Sequence, residues 1–264
     1  MKIFITGASG FIGKHIVPLL VKDKHELLVL GRKRASKPKG QEKIKMVIGD
    51  LQDLSRIKKT IIRFAPQVCL HLAWEGIPDY SYERAKRNLD QSMGLIHMIV
   101  NETTCAKIIA SGSSWEYGKT SFFTWAKNAV YTGGSLLCAK RGIDFVWLRI
   151  FFAFGPGQRK QALIPTLYDA FKNGRRPEIK NPQHAQDFIY VTDVAEALRR
   201  AVKKPVGSGV YDIGRQGLVS VSQVRGMVEK QMAHTSKFRR ATGWQALVSV
   251  PQGIKKHLAF MEAS

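Results

Sequence analysis

Residues 2–13 read KIFITGASGFIG, an apolar run that leads directly into three glycines spaced three residues apart. The apolar run predicts a buried strand, and the pattern that follows predicts a helix. Glycines at such a turn let backbone N–H groups approach a pyrophosphate, whose charge the helix N-terminus stabilises. The spacing is G-x-x-G-x-x-G, whereas the general dinucleotide pattern is G-x-G-x-x-G. The turn therefore predicts a dinucleotide site. Its expected contacts are Gly7, Ser9, Gly10, Phe11, Ile12 and Gly13.

Strand-like and helical patterns alternate from the N-terminus to about Ile150. Strands that are apolar throughout and are joined by helices predict a parallel sheet covered on both faces. We therefore expect an α/β fold with a doubly wound parallel Rossmann sheet. The predicted strands are Lys2–Thr6, Glu26–Leu30, Ile44–Ile48, Gln67–Leu72, Lys107–Ser111 and Asp144–Ile150. The predicted helices are Phe11–Lys22, Leu54–Phe64, Ser81–Glu102, Phe122–Lys140, Leu163–Asn173, Asp193–Lys203 and Val221–Met232.

Glycine and proline become frequent after Phe154, and the regular alternation ends there. We therefore expect residues 1–154 to form a dinucleotide-binding domain. Residues 155–264 are expected to form a reduced C-terminal substrate lobe that is interleaved with the sheet as one structural unit.

The chain is strongly basic, with 42 Lys and Arg against 20 Asp and Glu and a formal net charge of +22. A positive field of this size attracts anions. The densest basic stretch, Arg32–Lys45, lies near no recognised nucleic-acid motif and no stacking aromatic residues. The pattern favours a solvated basic surface that attracts a pyrophosphate-bearing substrate over nucleic-acid binding. A basic, RNA-binding relative of the fold is kept as an alternative.

Composition also indicates the cellular compartment. Cys69, Cys105 and Cys138 are widely spaced and form no metal-binding pattern, which indicates reduced thiols and no metal site. The N-terminus lacks the pattern of a secretory signal, and no stretch is apolar enough to span a bilayer. We therefore expect a cytoplasmic protein without a membrane span.

The end of the second strand bears on the choice of cofactor. NAD-selective folds place an acidic residue there, where it binds the ribose 2′-hydroxyl, whereas a basic residue suits a 2′-phosphate. The strand here ends Leu30-Gly31-Arg32 and is followed by two further cations. We therefore expect NADP(H) to be favoured over NAD(H), with Arg32 as a cofactor contact.

Further motifs occur in order along nearly the whole chain. They are TGASGFIG (residues 6–13), GDL (49–51), HLAW (71–74), Asn88, SGSSWEYG (111–118), LRIF (148–151), FGPGQ (154–158) and DFIYVTDV (187–194). Together they resemble the extended short-chain dehydrogenases/reductases of the NAD-dependent epimerase/dehydratase family. The resemblance implies a nicotinamide dinucleotide as cofactor and a nucleoside-diphosphate sugar as substrate.

The resemblance also implies roles for particular residues. Asp50 would contact the adenine, and the end of the fourth strand would run beside the cofactor. The further cofactor contacts implied are Asp50, Leu51, Leu72, Ala73, Trp74, Asn88, Lys127 and Phe152. The substrate contacts implied are Ser114, Trp115, Phe154, Gln158 and Arg159. Gln186 stands where the family often has an arginine for substrate phosphate, and Arg159, Arg175 and Arg176 could supply phosphate contacts instead.

The family's catalytic pair is a tyrosine followed four residues later by a lysine, which places both side chains on one helix face. Lys127 occupies the lysine position, but Phe123 occupies the tyrosine position and has no proton to give. The resemblance assigns the catalytic serine to Ser113. Three explanations stay open: Tyr117 or Tyr131 substitutes as the acid, the enzyme works slowly through Ser113 and water, or catalysis has been lost.

A finer similarity concerns the reaction. The segments HLAWEGIP (71–78) and WEYG (115–118) resemble the branch that reduces 4-keto-6-deoxy sugar nucleotides. The resemblance therefore implies a 4-ketoreductase. The alternatives are a 4-epimerase and a non-catalytic NAD(P)-binding protein. Relatives dimerise through two helices, which here correspond to Ser81–Glu102 and Phe122–Lys140 and imply a possible homodimer.

Overall fold

The structure is a computed structural model, and it describes residues 1–32, 44–118, 120–172, 183, 185–219, 238 and 241–263. Its strands are β1 (Lys2–Thr6), β2 (Glu26–Gly31), β3 (Ile44–Ile48), β4 (Val68–His71), β5 (Lys107–Ser113), β6 (Asp144–Ile150), β7 (Phe152–Phe154), β8 (Phe188–Tyr190) and β9 (Gly209–Ile213). Its helices are α1 (Gly13–Lys22), α2 (Leu54–Phe64), α3 (Tyr82–Glu102), α4 (Phe122–Ala139), α5 (Leu163–Lys172), α6 (Val191–Lys203) and α7 (Val250–Glu262). A short 3₁₀ helix spans Ser114–Tyr117.

Seven strands form one parallel sheet in the order β3-β2-β1-β4-β5-β6-β9. The strand order reverses between β1 and β4, because β2 and β3 extend the sheet to one side and β4 to β6 to the other. Ligands of such sheets bind at the carboxyl ends of the strands beside this reversal. The predicted doubly wound α/β fold is confirmed.

Alternate side chains of each strand enter the two hydrophobic layers of the core. Ile3 and Ile5 of β1 pack with α1 and α6 on one face, whereas Phe4 packs with α2, α3 and α4 on the other. This burial of both faces explains why the strands are largely apolar.

The C-terminal part of the chain divides its residues between two sheets. β9 is an edge strand of the large sheet, and α6 packs against α1. β7 and β8 instead form a separate two-stranded parallel sheet. Its aromatic residues Phe154 and Tyr190 pack against Gly253 of α7.

The predicted elements with described residues are present, with ends shifted by a residue or two. Helix α1 begins at Gly13 rather than Phe11, and α6 begins at Val191 rather than Asp193. Strands β7, β8 and β9 and helix α7 were not predicted from the sequence. The structure does not describe the predicted helix Val221–Met232, the residues 33–43 of the basic stretch, Arg175 or Arg176.

The three cysteines are buried and unpaired. Within the described ranges, no helix combines the length and apolar character needed to cross a membrane.

Candidate functional site

The glycine turn after β1 is packed too closely for side chains. Gly7 has φ +74°, and a Cβ there would lie 2.7 Å from the backbone nitrogen of Ala73. A Cβ on Gly13 would collide with the carbonyl oxygen of Gly7. The Gly10 N–H donates to that same carbonyl at 3.0 Å, which closes the turn. The last glycine therefore serves the close packing of the turn itself.

A groove of about 340 Å³ runs from this turn along the carboxyl ends of the central strands. The predicted cofactor contacts that line it are Gly7, Ser9, Gly10, Arg32, Asp50, Leu51, Leu72, Ala73 and Trp74. Further lining residues, which the sequence analysis did not name as contacts, are Leu30, Gly31, Gly49, Glu75, Gly76 and Gln91. Leu30, Gly31 and Gly49 could have been found, because they adjoin predicted contacts at strand ends.

The groove suits a dinucleotide in two independent ways. The Gly7 turn brings backbone to the groove at a point where a Cβ would fill the space. In addition, the side-chain nitrogen of Gln91 is buried and has no hydrogen-bond partner among the described residues. An unpaired buried donor costs about 1–3 kcal/mol unless a ligand accepts its hydrogen bond. The residues present therefore fit a phosphate-bearing ligand.

An acidic side chain does reach the end of β2, although it comes from elsewhere in the sequence. Glu75, after β4, lies 3.6 Å from the guanidinium of Arg32. Its carboxylate also pairs with Arg84 at 2.8 Å and with Arg87 at 3.7 Å. The Arg32 side chain remains 73% exposed, so it is available to a ligand in the groove.

Lys127 of α4 is buried beneath the groove. Its ammonium donates to the Ser111 carbonyl oxygen at 2.7 Å and lies 3.8 Å from the Trp74 ring centroid. Burial lowers the pKa of Lys127 to about 7, and the charge of Glu116 opposes this shift. Trp74 therefore both lines the groove and covers the lysine.

A neutral histidine connects the turn to the helix layer. The Nδ1 atom of His71 lies 2.7 Å from the Thr6 hydroxyl, and its Nε2 atom lies 3.0 Å from the Ser92 hydroxyl. Burial, together with the nearby charge of Lys127, lowers the pKa of His71 to about 3. His71 is therefore a structural link at the carboxyl end of β4.

A second cavity of about 380 Å³ lies next to the groove. The predicted residues that line it are Phe11, Ser113, Ser114, Trp115, Phe152, Gln158 and Arg159. Its other lining residues are Ile77, Tyr80, Phe123, Ile150, Phe151, Ala153 and Ala162. The wall is largely apolar, with hydroxyl, amide and guanidinium groups among the rings, as is typical of small-molecule sites.

Ser113 is held in this wall by a buried carboxylate. One oxygen of Glu116 accepts the Ser113 N–H at 2.7 Å. The other accepts from the Trp147 indole at 2.9 Å and from Arg149 at 2.8 Å. The Ser113 hydroxyl in turn accepts the Trp115 N–H. These bonds fix the backbone on both sides of the serine.

The two tyrosines predicted to replace the missing acid lie elsewhere. The Tyr117 hydroxyl donates to Asp212 at 2.6 Å, and burial together with this bond raises the pKa of Tyr117 to about 12. The Tyr131 ring packs against Phe145 and Trp147 in the core. Neither tyrosine lines the second cavity, since the 3₁₀ turn and the face of α4 direct both rings into the protein.

Other predicted contacts also differ in position. The Asn88 amide bonds the backbone N–H and carbonyl of Glu75, so it fixes the loop after β4 and does not line the groove. Phe154 is buried in the small sheet rather than in the cavity wall. Ile12 and Gly13 lie behind the turn, where Ile12 packs on the core.

This fold, with a glycine turn and groove at the strand reversal, defines the class of Rossmann-type dinucleotide-binding proteins. The model of the NAD dependent epimerase/dehydratase family matches residues 3–214, and the chain belongs to that family of enzymes. The family resemblance of the motifs is thereby confirmed.

Individual relatives are distant. The chain is 25% identical to Protein CapI of Staphylococcus aureus over 78% of this chain and 70% of that protein. It is 22% identical to CDP-abequose synthase of Salmonella muenchen over 99% and 98% of the two chains. Solved structures agree in fold. The UDP-glucose 4-epimerase of Thermotoga maritima, solved with UDP-glucose, has a TM-score of 0.85 at 19% identity over 100% of this chain and 99% of that one.

Proposed function

We propose that the protein binds a nicotinamide dinucleotide in the groove and catalyses hydride transfer at a carbon of a nucleoside-diphosphate sugar in the second cavity. The proposal rests on one observation: residues that line the groove are adjacent to residues that line the second cavity. Gly10 and Gly76 line the groove, and their chain neighbours Phe11 and Ile77 line the cavity. The Trp74 ring of the groove also lies edge-on to Phe123 of the cavity, at 5.5 Å. A ligand that extends along the groove would therefore meet one held in the cavity.

The nicotinamide, when bound, supplies or accepts the hydride. The protein's own groups bind and orient the reactants. Backbone N–H groups of the Gly7 turn would hold the phosphates. Lys127 is covered by Trp74 and lines neither space, so it would bind the ribose next to the nicotinamide only if the Trp74 ring moved aside. Ser113 would donate to the reacting sugar oxygen, and Arg159 would pair with substrate phosphate. Because Arg32 is largely exposed beside the groove, NADP(H) remains the favoured cofactor.

The favoured reaction is reduction of a 4-keto-6-deoxy sugar. The HLAWEGIP and WEYG segments support it, and a CDP-abequose synthase aligns with nearly the whole chain. A 4-epimerase is the alternative, because a probable UDP-glucuronate 4-epimerase of Rhizobium meliloti is also a relative, 23% identical over 78% of this chain.

Residues 155–264 would supply the substrate lobe. The unpaired thiols support the cytoplasm as the proposed location.

A second copy of the chain would cover the exposed surface of α4. Phe122, Trp125 and Leu136 of this helix are 51%, 44% and 63% exposed, although they are large and apolar. We expect sedimentation of the wild-type protein to show a dimer and the Leu136→Glu variant to sediment as a monomer. Leu247→Glu, at a site that is 75% exposed, is the matched control and should leave the dimer intact. A monomeric wild-type protein would contradict this arrangement.

Single-turnover absorbance at 340 nm tests the enzymatic proposal. NADPH or NADH is mixed with UDP-4-keto-6-deoxyglucose and with the dTDP and CDP forms of the same sugar, and NAD⁺ is mixed with UDP-glucose and UDP-glucuronate. Oxidation of the reduced cofactor by a keto sugar would support the reductase. Epimerised product with no net oxidation would support the epimerase. Cofactor binding without either reaction would support the non-catalytic alternative. That alternative is suggested by Phe123, which has no proton to give.

A further inference from the structure

The tyrosine position of α4 holds Phe123, yet a different tyrosine reaches the same cavity. Tyr80 lines the cavity together with Ser113 and Phe123. Its ring centroid lies 5.7 Å from that of Phe123 and 5.0 Å from that of Trp115. A tyrosine side chain therefore belongs to the cavity wall, with its ring packed against the phenylalanine that occupies the tyrosine position.

The remaining tyrosines with described side chains are committed elsewhere. The Tyr117 hydroxyl donates to Asp212, and the Tyr211 hydroxyl donates to the Gly207 carbonyl. Tyr82 packs with Phe122 and Trp125 at the exposed start of α4. Tyr131 and Tyr190 belong to core clusters. Of the tyrosine side chains that the structure describes, Tyr80 is the one in the cavity wall.

Tyr80 stands in a loop that is fastened to α3 on both sides. Before it, the backbone of Glu75 bonds the Asn88 amide through both its N–H and its carbonyl. Asp79 then pairs with Arg84 at 3.2 Å and accepts the N–H of Ser81, the N-cap of α3. A reacting group must be held in place to be effective, and these bonds supply that constraint.

The Tyr80 hydroxyl is also free to act. The side chain is half-buried, and no described residue accepts a hydrogen bond from its hydroxyl. The Tyr117 hydroxyl, in contrast, is already bonded to a carboxylate. A substrate oxygen in the cavity would therefore find Tyr80 as an available donor.

We propose that Tyr80 exchanges the proton with the reacting sugar oxygen, in place of the residue at position 123. The proposal rests on the proposed function. In the reductive direction, the carbonyl carbon of the sugar gains a hydride from the dihydronicotinamide, and the carbonyl π electrons move to its oxygen. That oxygen takes the proton of the Tyr80 hydroxyl, and water reprotonates the phenolate. The oxidative direction reverses each transfer.

Single-turnover hydride transfer in three variants tests this role. Tyr80→Phe removes only the hydroxyl, and we expect a loss of about 10²–10⁴ in rate, the range for general acid–base catalysis. Its affinity for NADPH, measured by fluorescence titration, should be unchanged. Tyr82→Phe, the same change two positions away and outside the cavity, should match the wild type. Phe123→Tyr added to Tyr80→Phe should recover at least about tenfold of the lost rate, because it returns a hydroxyl to the cavity.

The outcomes separate this role from the proposed function. If the wild-type protein transfers hydride and Tyr80→Phe is within about threefold of it, Tyr80 is only an aromatic wall and the proposal is overturned. Loss of NADPH affinity in Tyr80→Phe, or failure of Phe123→Tyr to recover rate, would equally assign a structural role. If the wild-type protein transfers no hydride with any of the sugars, the proposed function and the Tyr80 proposal both fail.

Discussion

The ammonium nitrogen of Lys127 lies 3.8 Å from the centroid of the Trp74 ring, so one side chain of the groove wall covers the buried lysine. The same ammonium is within 6 Å of the Phe123 and Trp147 rings, at 5.9 and 5.7 Å. Aromatic faces attract a cation but replace its water incompletely. This environment accounts for the depressed pKa of Lys127 and leads to the first prediction.

Lys127→Met should change the pH dependence of stability. The pKa of Lys127 is lowered from 10.5 to about 7 in the folded state, so folding disfavours its protonated form. As pH falls from about 10.5 to about 7, the unfolded chain binds a proton that the folded chain does not, and the wild type loses about 1.4 kcal/mol per pH unit from this group. The Lys127→Met variant has no amine at this position, so its free energy of unfolding does not decrease in this way. Urea unfolding between pH 7 and 10 should therefore show the variant gaining on the wild type as pH falls.

The control for this comparison is Lys140→Met, an exposed lysine at the end of the same helix. Its stability relative to the wild type should stay constant across that pH range. A pH-independent difference for Lys127→Met would show that the buried amine keeps an ordinary affinity for protons.

His71→Gln should reduce acid sensitivity. Burial lowers the pKa of His71 from 6.5 to about 3, so the folded state keeps the ring neutral. Stability from this group is complete above about pH 6.5 and falls by about 1.4 kcal/mol per pH unit as the pH drops towards 3, because the unfolded state alone binds the proton. The glutamine variant should show a shallower decline between pH 6.5 and 4 in denaturant unfolding. His97→Gln, at an exposed position of α3, should retain the wild-type slope, and equal slopes for both variants would count against a neutral buried His71.

Gly7→Ala should abolish cofactor binding. The positive φ at Gly7 strains any L side chain, and the new Cβ would meet the backbone of Ala73 at 2.7 Å. Gly142→Ala is a matched control, since Gly142 has φ +64° and a Cβ added there would have no other atom within 4 Å. Both variants should lose about 1–2 kcal/mol from the left-handed backbone. In titrations with NADPH, only the Gly7 variant should fail to bind, and normal binding by it would place the phosphates elsewhere.

Arg32→Ala should alter the choice between cofactors. An exposed guanidinium beside the groove can pair with a 2′-phosphate, and a charge-assisted hydrogen bond of this kind is worth about 1.5–3 kcal/mol, or roughly tenfold or more in affinity. The variant should therefore bind NADPH at least about tenfold more weakly while its affinity for NADH changes little. Competition titrations with the two cofactors measure the ratio, and Arg63→Ala on α2 controls for net charge. An unchanged ratio would assign Arg32 to its ion pair with Glu75 alone.

The large sheet could be predicted because its first six strands are largely apolar and alternate with periodic helices. β9 could not be predicted, since Gly209–Ile213 joins the sheet only through pairing with β6, more than 60 residues earlier in the chain. α7 contains Gly253 in its interior, and a glycine at such a position weakens a helical pattern.

The candidate site likewise has a part that could be predicted from the sequence and a part that could not. The groove follows from local patterns at strand ends, where neighbouring residues such as Asp50 and Leu51 enter one lining. Tyr80 could not be found in this way, because its position depends on bonds between the loop after β4 and residues of α3. Tyr117 was predicted as a replacement acid because it follows Ser113 closely in sequence. The 3₁₀ turn instead directs its hydroxyl to Asp212 on β9.

Calorimetric titration of the purified protein with NADPH and with NADH tests the central claim, that the turn at Gly7 holds a dinucleotide by its phosphates. We expect saturable binding of one dinucleotide per chain, which weakens as salt concentration rises and is absent in Gly7→Ala. If the wild-type protein binds neither dinucleotide, or if Gly7→Ala binds as the wild type does, the claim is contradicted.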